Sequence, residues 1–145
     1  MGDRYLKSIR LLAECMQGFE RLSGEHVRQN GLTHAQFDII ATLGNTAGMS
    51  YKELGDKTLI TKGTLTGVIE RLEQKGLVQR QRCTVDKRSW FIRLSAQGEQ
   101  VFEDVFPKVV ASGSAVFARF SDDDFARLEA TLAELKSVIG GGALP

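Results

Sequence analysis

Apolar residues at three- and four-residue steps predict a long amphipathic helix over the first 30 residues of the chain. Asn30-Gly31 ends this helix, because glycine accepts the left-handed conformation of a helix cap. The same period recurs further along and predicts five more helices, each preceded by a hydroxyl residue that can cap the first turn. These capping residues are Thr33, Ser50, Thr61, Ser95 and Ser121. Six helices make the chain mainly α.

After Gly76 the hydrophobic period changes from about 3.6 residues to 2. Two short β-rich runs, 77–82 and 89–94, flank a polar and basic linker and predict a β-hairpin. The two helices opened by Ser50 and Thr61 are joined by a turn of about three residues, which is the helix-turn-helix arrangement. A hairpin directly after it is a wing. The predicted fold class is mainly α with a small β-hairpin wing (α+β), a winged helix-turn-helix.

The first and last helices carry apolar stripes that are too long for a small winged domain to cover. In the last helix the stripe consists of Leu128, Leu132, Leu135 and Ile139. Because such stripes must be buried against something, we expect a homodimer. The predicted organisation is an N-terminal dimerisation helix (1–31), the winged helix-turn-helix (32–94) and C-terminal dimerisation helices (95–145).

Composition places few further limits on the chain. It has 145 residues, of which 42% are hydrophobic and 26% charged, as in an ordinary globular protein. No apolar run approaches the roughly 18 residues of a membrane span, and no signal peptide is evident. We therefore expect a cytoplasmic protein with no membrane partner. Cys15 and Cys83 are too few for a disulfide framework and lack metal-ligand spacing, so we expect reduced thiols, no metal and no cofactor.

The net charge of +1 conceals an uneven distribution. Residues 1–49 are neutral, residues 50–94 carry +5, and residues 95–145 carry −4. A basic middle segment between a neutral and an acidic arm indicates that the middle faces phosphate, while the arms do something else.

The fourth helix has two contrasting faces at 100° per residue. Its core face consists of Leu65, Val68, Ile69 and Leu72, and its opposite face of Gly63, Gly67, Glu70 and Gln74. Each exposed glycine costs about 0.5–1 kcal/mol against alanine, so close approach to another surface is a physical reason to keep them. The surrounding Lys62, Thr64, Thr66 and Arg71 suit a helix in a major groove. An ordinary solvated face with tolerated glycines is the alternative.

The predicted hairpin carries many basic residues and few acidic ones. Six cations lie between Lys75 and Arg93, against one acid, Asp86. Such a hairpin can span the DNA backbone and insert an arginine into a narrow minor groove. A hairpin exposed only for solubility would explain the amount of charge but not its single sign.

These motifs, in this order, resemble the MarR family of winged-helix transcriptional regulators. The matching stretch begins at Leu32-Thr33 and ends at Ser95-x-x-Gly98, about half of the chain. It contains Lys62-Gly-Thr-Leu-Thr66, Arg71-Leu-Glu-x-Lys-Gly-Leu-Val78 and Asp86-Lys-Arg-Ser89. The Asp-x-Arg-Ser wing motif after Arg-Leu-Glu-x-x-Gly-Leu is the most specific part of the resemblance.

The resemblance implies a triangular homodimer on a pseudo-palindromic double-stranded DNA operator, with its terminal helices interleaved. It implies that the helix opened by Thr61 enters the major groove, using Thr61, Lys62, Gly63, Thr64, Thr66, Gly67 and Arg71. In the wing, Arg88 would enter the minor groove beside Lys87, and Asp86 would hold it or the wing in place. Such regulators usually repress nearby genes and are released by a small aromatic or phenolic molecule. That molecule would bind between the dimerisation helices and the winged domain.

Two alternative functions remain open. Cys15 lies in the first helix, where peroxide-sensing members of the family carry a reactive cysteine, so a thiol-based redox-sensing repressor is one. The only tyrosines that could support such a thiol are Tyr5 and Tyr51. The other alternative is a winged-helix module that binds only protein. No phosphate loop, nucleophile–base pair or paired-carboxylate motif is present, so we do not expect an enzyme.

Overall fold

The computed structural model describes residues 2–83, 85 and 89–141 of the chain. Within these residues lie six α-helices and three short strands. In order they are α1 (Tyr5–Gln29), α2 (His34–Leu43), β1 (Met49–Ser50), α3 (Tyr51–Thr58), α4 (Lys62–Gln74), β2 (Val78–Arg82), β3 (Trp90–Leu94), α5 (Ala96–Val116), a 3₁₀ turn (Phe117–Arg119) and α6 (Asp122–Gly141). The predicted α+β class with a helix-turn-helix and a following hairpin is confirmed.

The helix boundaries follow local backbone chemistry. The α1 helix ends before Gly31, whose φ of +71° lies in the left-handed region as predicted. Thr33 and Gln36 form a reciprocal capping box at the start of α2: the Gln36 amide donates to Thr33 Oγ1 at 3.1 Å, and the Thr33 amide donates to Gln36 Oε1 at 3.2 Å. Ser50 and Glu53 repeat this box at the start of α3.

The capping prediction for α4 needs a correction. Thr61 is the N-cap residue of α4, but its side chain accepts no hydrogen bond from the helix backbone. Its hydroxyl instead donates to Thr64 Oγ1 at 3.2 Å. By contrast, Ser95 Oγ accepts from the Gly98 amide and Ser121 Oγ from the Asp124 amide, so those two predicted caps are confirmed.

The sheet has three antiparallel strands in the order β1-β3-β2. The hairpin register pairs Val78 with Leu94 and Arg82 with Trp90. Met49 pairs with Ile92 and adds the short β1 to the far edge of β3. Sequence periodicity did not predict β1, because two residues are too few to show a period.

One apolar core holds the elements from α1 to α5 together. Every one of these elements contributes a buried side chain; the largest fully buried ones are Ile39, Ile40, Leu43, Leu54, Leu65, Ile69, Leu72 and Ile92. Each such side chain stabilises the fold by about 1.5–3 kcal/mol relative to an exposed one. The core fixes α4 through one face and leaves the other face to solvent.

The described residues divide into two compact units between Ser112 and Gly113. The second unit contains the end of α5, the 3₁₀ turn and α6. Its own small cluster consists of three aromatic rings, Phe117, Phe120 and Phe125, with centroids 5.1–6.0 Å apart. None of the helices in the described part of the chain combines the length and the apolar character that crossing a membrane needs.

Candidate nucleic-acid interface

The outward face of α4 is the centre of the candidate interface. Leu65, Ile69 and Leu72 are buried and Val68 is partly buried, which confirms the predicted core face. The outward face presents Gly63, Gly67, Glu70 and Gln74 to solvent, flanked by the exposed Lys62, Thr64, Thr66 and Arg71. A methyl group added at Gly63 or Gly67 would meet no atom within 4 Å. Packing inside the chain therefore does not explain either glycine.

A groove of about 700 Å³ runs between α4 and the base of the wing. Lys62 and Thr66 of α4 line one side, and Arg80 and Trp90 of the hairpin line the other. Lys52, in the first turn of α3, adds a third cation to the lining. The fold thus brings the start of α4 and the strands of the wing, which are distant in sequence, to one partly basic surface.

Trp90 organises the arginines of the hairpin. The guanidinium carbon of Arg80 lies 4.8 Å from the centre of the Trp90 ring, and that of Arg82 lies 4.4 Å from it. Cation–π contacts of this kind contribute about 0.5–1 kcal/mol at exposed sites. The ring therefore limits the freedom of two cations at the edge of the groove.

Two of the six cations from Lys75 to Arg93 form hydrogen bonds or ion pairs within the fold. Lys75 Nζ donates to the Gly31 carbonyl at 2.6 Å and to Gln36 Oε1 at 2.9 Å, joining the end of α4 to the start of α2. Arg80 donates to Glu73 Oε1 at 2.9 and 3.1 Å, and this hydrogen bond raises the pKa of Arg80 further. The charge count alone therefore overstated how many cations are available to phosphate.

The predicted contacts of the wing tip lie outside the described residues. These are Asp86, Lys87 and Arg88. The structure describes the strands that lead to this tip, and the Cys83 amide donates to the Ser89 carbonyl at 2.9 Å across the base of the connection.

A second cavity, of about 480 Å³, lies between α1, α2 and α5. Met16, Phe19, Phe37 and Val109 supply its apolar wall, and Glu20, Ser23, His34, Ala35 and Asp38 complete the lining. His34 Nε2 donates to the Glu20 carbonyl at 2.8 Å and so ties α2 to α1. Burial raises the pKa of the Asp38 carboxyl, and His34 partly offsets this effect.

His34 and Asp38 both lie in this lining, and the sequence analysis identified neither as a site residue. The available signal was a carboxylate within the otherwise apolar run Phe37–Ile40. Cys15 is exposed on α1 and Cys83 is partly buried beside the wing. His26 Nε2 lies 3.1 Å from Ser112 Oγ, in a contact that joins α1 to α5.

A helix-turn-helix with an outward glycine face, joined by a partly basic groove to a hairpin, defines a winged-helix DNA-binding protein. The sequence model of the MarR family matches residues 32–90. The chain is 25% identical to the HTH-type transcriptional regulator MhqR of Bacillus subtilis over 124 residues, 86% of each chain.

Solved structures agree with this assignment. The crystal structure of NadR in complex with 4-hydroxyphenylacetate is 27% identical, with a TM-score of 0.73 over 86% of this chain and 88% of that one. AbsC of Streptomyces coelicolor, a MarR family regulator 24% identical to the chain, has the same fold with a TM-score of 0.83 over 97% of both chains. These matches identify the chain as a DNA-binding transcriptional regulator that is similar to the MarR family.

Proposed function

We propose that this regulator is a homodimeric repressor that reads a pseudo-palindromic operator and leaves it when a small molecule binds. In this proposal residues 32–94 bind DNA, while residues 1–31 and 95–145 form the dimer. A repressor of this kind works in the cytoplasm, where the bacterial chromosome lies. The observation that carries the proposal is the outward face of α4, where two glycines leave open space at Gly63 and Gly67.

In this proposal the outward face of α4 recognises the DNA sequence. Without side chains at Gly63 and Gly67, the helix backbone can approach base edges closely. Thr61, Lys62, Thr64 and Thr66 would contact phosphates and bases at the start of the helix, and Arg71 would reach from its last turns. Asp86, Lys87 and Arg88 of the wing would add backbone and minor-groove contacts.

Exposed apolar side chains support the dimer. On α1 they include Leu6 and Ile9, and on α6 they include Leu128, Leu132, Val138 and Ile139. Such stripes on two long helices are typical of surfaces that a second copy of the chain covers. A two-fold axis would place two α4 helices about one helical turn of DNA apart.

The cavity between α1, α2 and α5 is the proposed effector site. It is large enough for a molecule with one aromatic ring, and its apolar wall suits such a ring. NadR, a relative of this chain, binds 4-hydroxyphenylacetate, which supports a small aromatic or phenolic effector here. Binding would act by favouring a conformation in which the two α4 helices no longer match the operator.

The test compares Gly67→Glu with Gly67→Ala on the DNA that flanks the protein's own gene. We expect the Ala variant to retain operator affinity within a few-fold and to be slightly more stable, because alanine favours a helix. The Glu variant should fold, since the site is open to solvent, yet lose at least a hundredfold in operator affinity through bulk and negative charge. Fluorescence anisotropy measures affinity, and thermal unfolding by circular dichroism checks the fold.

Normal operator binding by Gly67→Glu would show that this face of α4 does not meet DNA. Exposed residue Cys15 offers a separate control for the redox alternative. If peroxide released DNA from the native chain but not from Cys15→Ser, a thiol switch would replace the small-molecule mechanism.

A further inference from the structure

The proposed effector cavity carries negative charge that the described part of the chain neutralises only in part. Two carboxylates, Glu20 on α1 and Asp38 on α2, line it. Across the described part of the chain, neither carboxylate accepts a hydrogen bond or forms an ion pair. Asp38 is only partly exposed, and burial raises the pKa of its carboxyl. A partly buried carboxylate that accepts no hydrogen bond is costly, so it marks a place where a cation gains from binding.

The positive groups near this cavity offset the two acids only in part. His34 lines the cavity and lowers the pKa of Asp38 through its charge, which reduces the effect of burial without cancelling it. Its Nε2 is already engaged with the Glu20 carbonyl. Arg21 and Arg28 line a separate shallow depression, which shares Glu20 and His34 with the cavity. The Arg28 guanidinium lies over Gly24, on the α1 side of that depression. Neither arginine is part of the lining of the larger cavity.

The remaining wall of the cavity suits the apolar body of an organic cation. Phe19 and Phe37 provide aromatic surface, and Met16 provides a polarizable thioether. Aromatic walls beside carboxylates favour ligands that combine a ring with an ammonium group. The ring packs against the aromatic wall, and the ammonium group forms charge-assisted hydrogen bonds to the carboxylates. An aromatic carboxylate would bring a third negative charge to the same space.

We propose that the cavity between α1, α2 and α5 binds an arylalkylamine in its protonated form, with its ammonium group on Asp38 and Glu20. This inference rests on the proposed function only where it expects ligand binding to release DNA. The binding preference itself concerns the chain without DNA and is tested separately.

Three matched probes isolate the charge: phenethylamine, which is cationic at neutral pH, neutral 2-phenylethanol and anionic phenylacetate. All three carry one ring and a two-carbon arm. By isothermal titration calorimetry on the full chain at neutral pH, we expect phenethylamine to bind at least tenfold more tightly than phenylacetate. In Asp38→Asn we expect the affinity for phenethylamine to fall at least tenfold. Asp104→Asn, on the exposed side of α5, is the matched control and should leave it unchanged.

The neutral probe shows whether the cavity survives the substitution, because 2-phenylethanol should bind Asp38→Asn as it binds the native chain. The inference is overturned if phenylacetate binds as tightly as phenethylamine, if Asp38→Asn binds phenethylamine normally, or if phenethylamine fails to bind at millimolar concentration. If phenethylamine binds through Asp38 but does not release operator DNA, the ligand class stands and the effector part of the proposed function fails.

Discussion

Leu59 has an unusual backbone conformation for its residue type. It caps the end of α3 in the helix-turn-helix with φ +61°, in the left-handed region, and its side chain is 88% exposed. That region costs a residue with a side chain about 1–2 kcal/mol, whereas glycine enters it freely at an entropic cost of about 0.5–1 kcal/mol.

We therefore expect Leu59→Gly to raise the free energy of unfolding by about 0.5–1 kcal/mol. Little burial is lost with a side chain that is 88% exposed. Urea denaturation measures the change. Leu59→Ala is the control, because alanine keeps the strained conformation and should leave stability nearly unchanged. Equal stabilisation by both variants would mean that the backbone strain is not the cause.

Asp38 makes the stability of the fold depend on pH. Burial raises the pKa of this carboxyl above its ordinary value of 3.8, so the folded chain binds the proton more tightly than the unfolded chain. The free energy of unfolding therefore falls as the pH rises through the interval between these two values. Above that interval the folded chain bears the cost of a partly buried charge.

We expect Asp38→Asn to be more stable than the native chain at neutral pH, since the amide has no charge to desolvate. This advantage should shrink as the pH is lowered through the raised pKa toward 3.8. Thermal unfolding of both proteins across that range measures it. Taking the difference between them removes the effects that the two proteins share. An advantage that grew on acidification would contradict the predicted direction.

At the scale of elements, one glycine holds α5 against the hairpin. A methyl group at Gly98 would collide with the Leu77 carbonyl oxygen, which is a backbone atom and cannot turn aside. The same carbonyl accepts a hydrogen bond from the Ser95 amide, so the start of α5 and the start of β2 are locked together.

Gly98→Ala should lower the free energy of unfolding by about 1–3 kcal/mol through overpacking at this junction. Gly63→Ala is its matched control on α4, where the added methyl group meets open space, and it should raise stability by about 0.5–1 kcal/mol. Chemical denaturation of the pair distinguishes a packing glycine from an interface glycine. A destabilised Gly63→Ala would contradict the assignment of that face to solvent.

At the scale of the whole molecule, the proposed dimer can be tested directly. We expect sedimentation equilibrium at micromolar concentration to give twice the chain mass of 16.0 kDa. Leu132→Glu places a charge in the exposed apolar stripe of α6 and should weaken association at least tenfold, because a buried unpaired charge is costly. Glu134→Gln, on another face of α6, should leave association unchanged. A monomeric native chain would rule out the architecture.

The periodicity of the sequence determined the element order, the core face of α4 and most of the caps, because these depend on residues within a few positions of one another. The resemblance to the MarR family followed from motifs on the same short scale. The outward glycines were equally visible, since a helix places every residue at a known angle.

Only the tertiary structure decided which charges remain available and which side chains line the second cavity. Lys75 and Arg80 looked like DNA-facing cations until their contacts with Gln36 and Glu73 were visible. Asp38 became important because α1 and α5, which lie far from it in sequence, enclose it beside an apolar wall. The physical reason is that pairing and desolvation depend on distances between side chains from different elements, and local periodicity does not contain those distances.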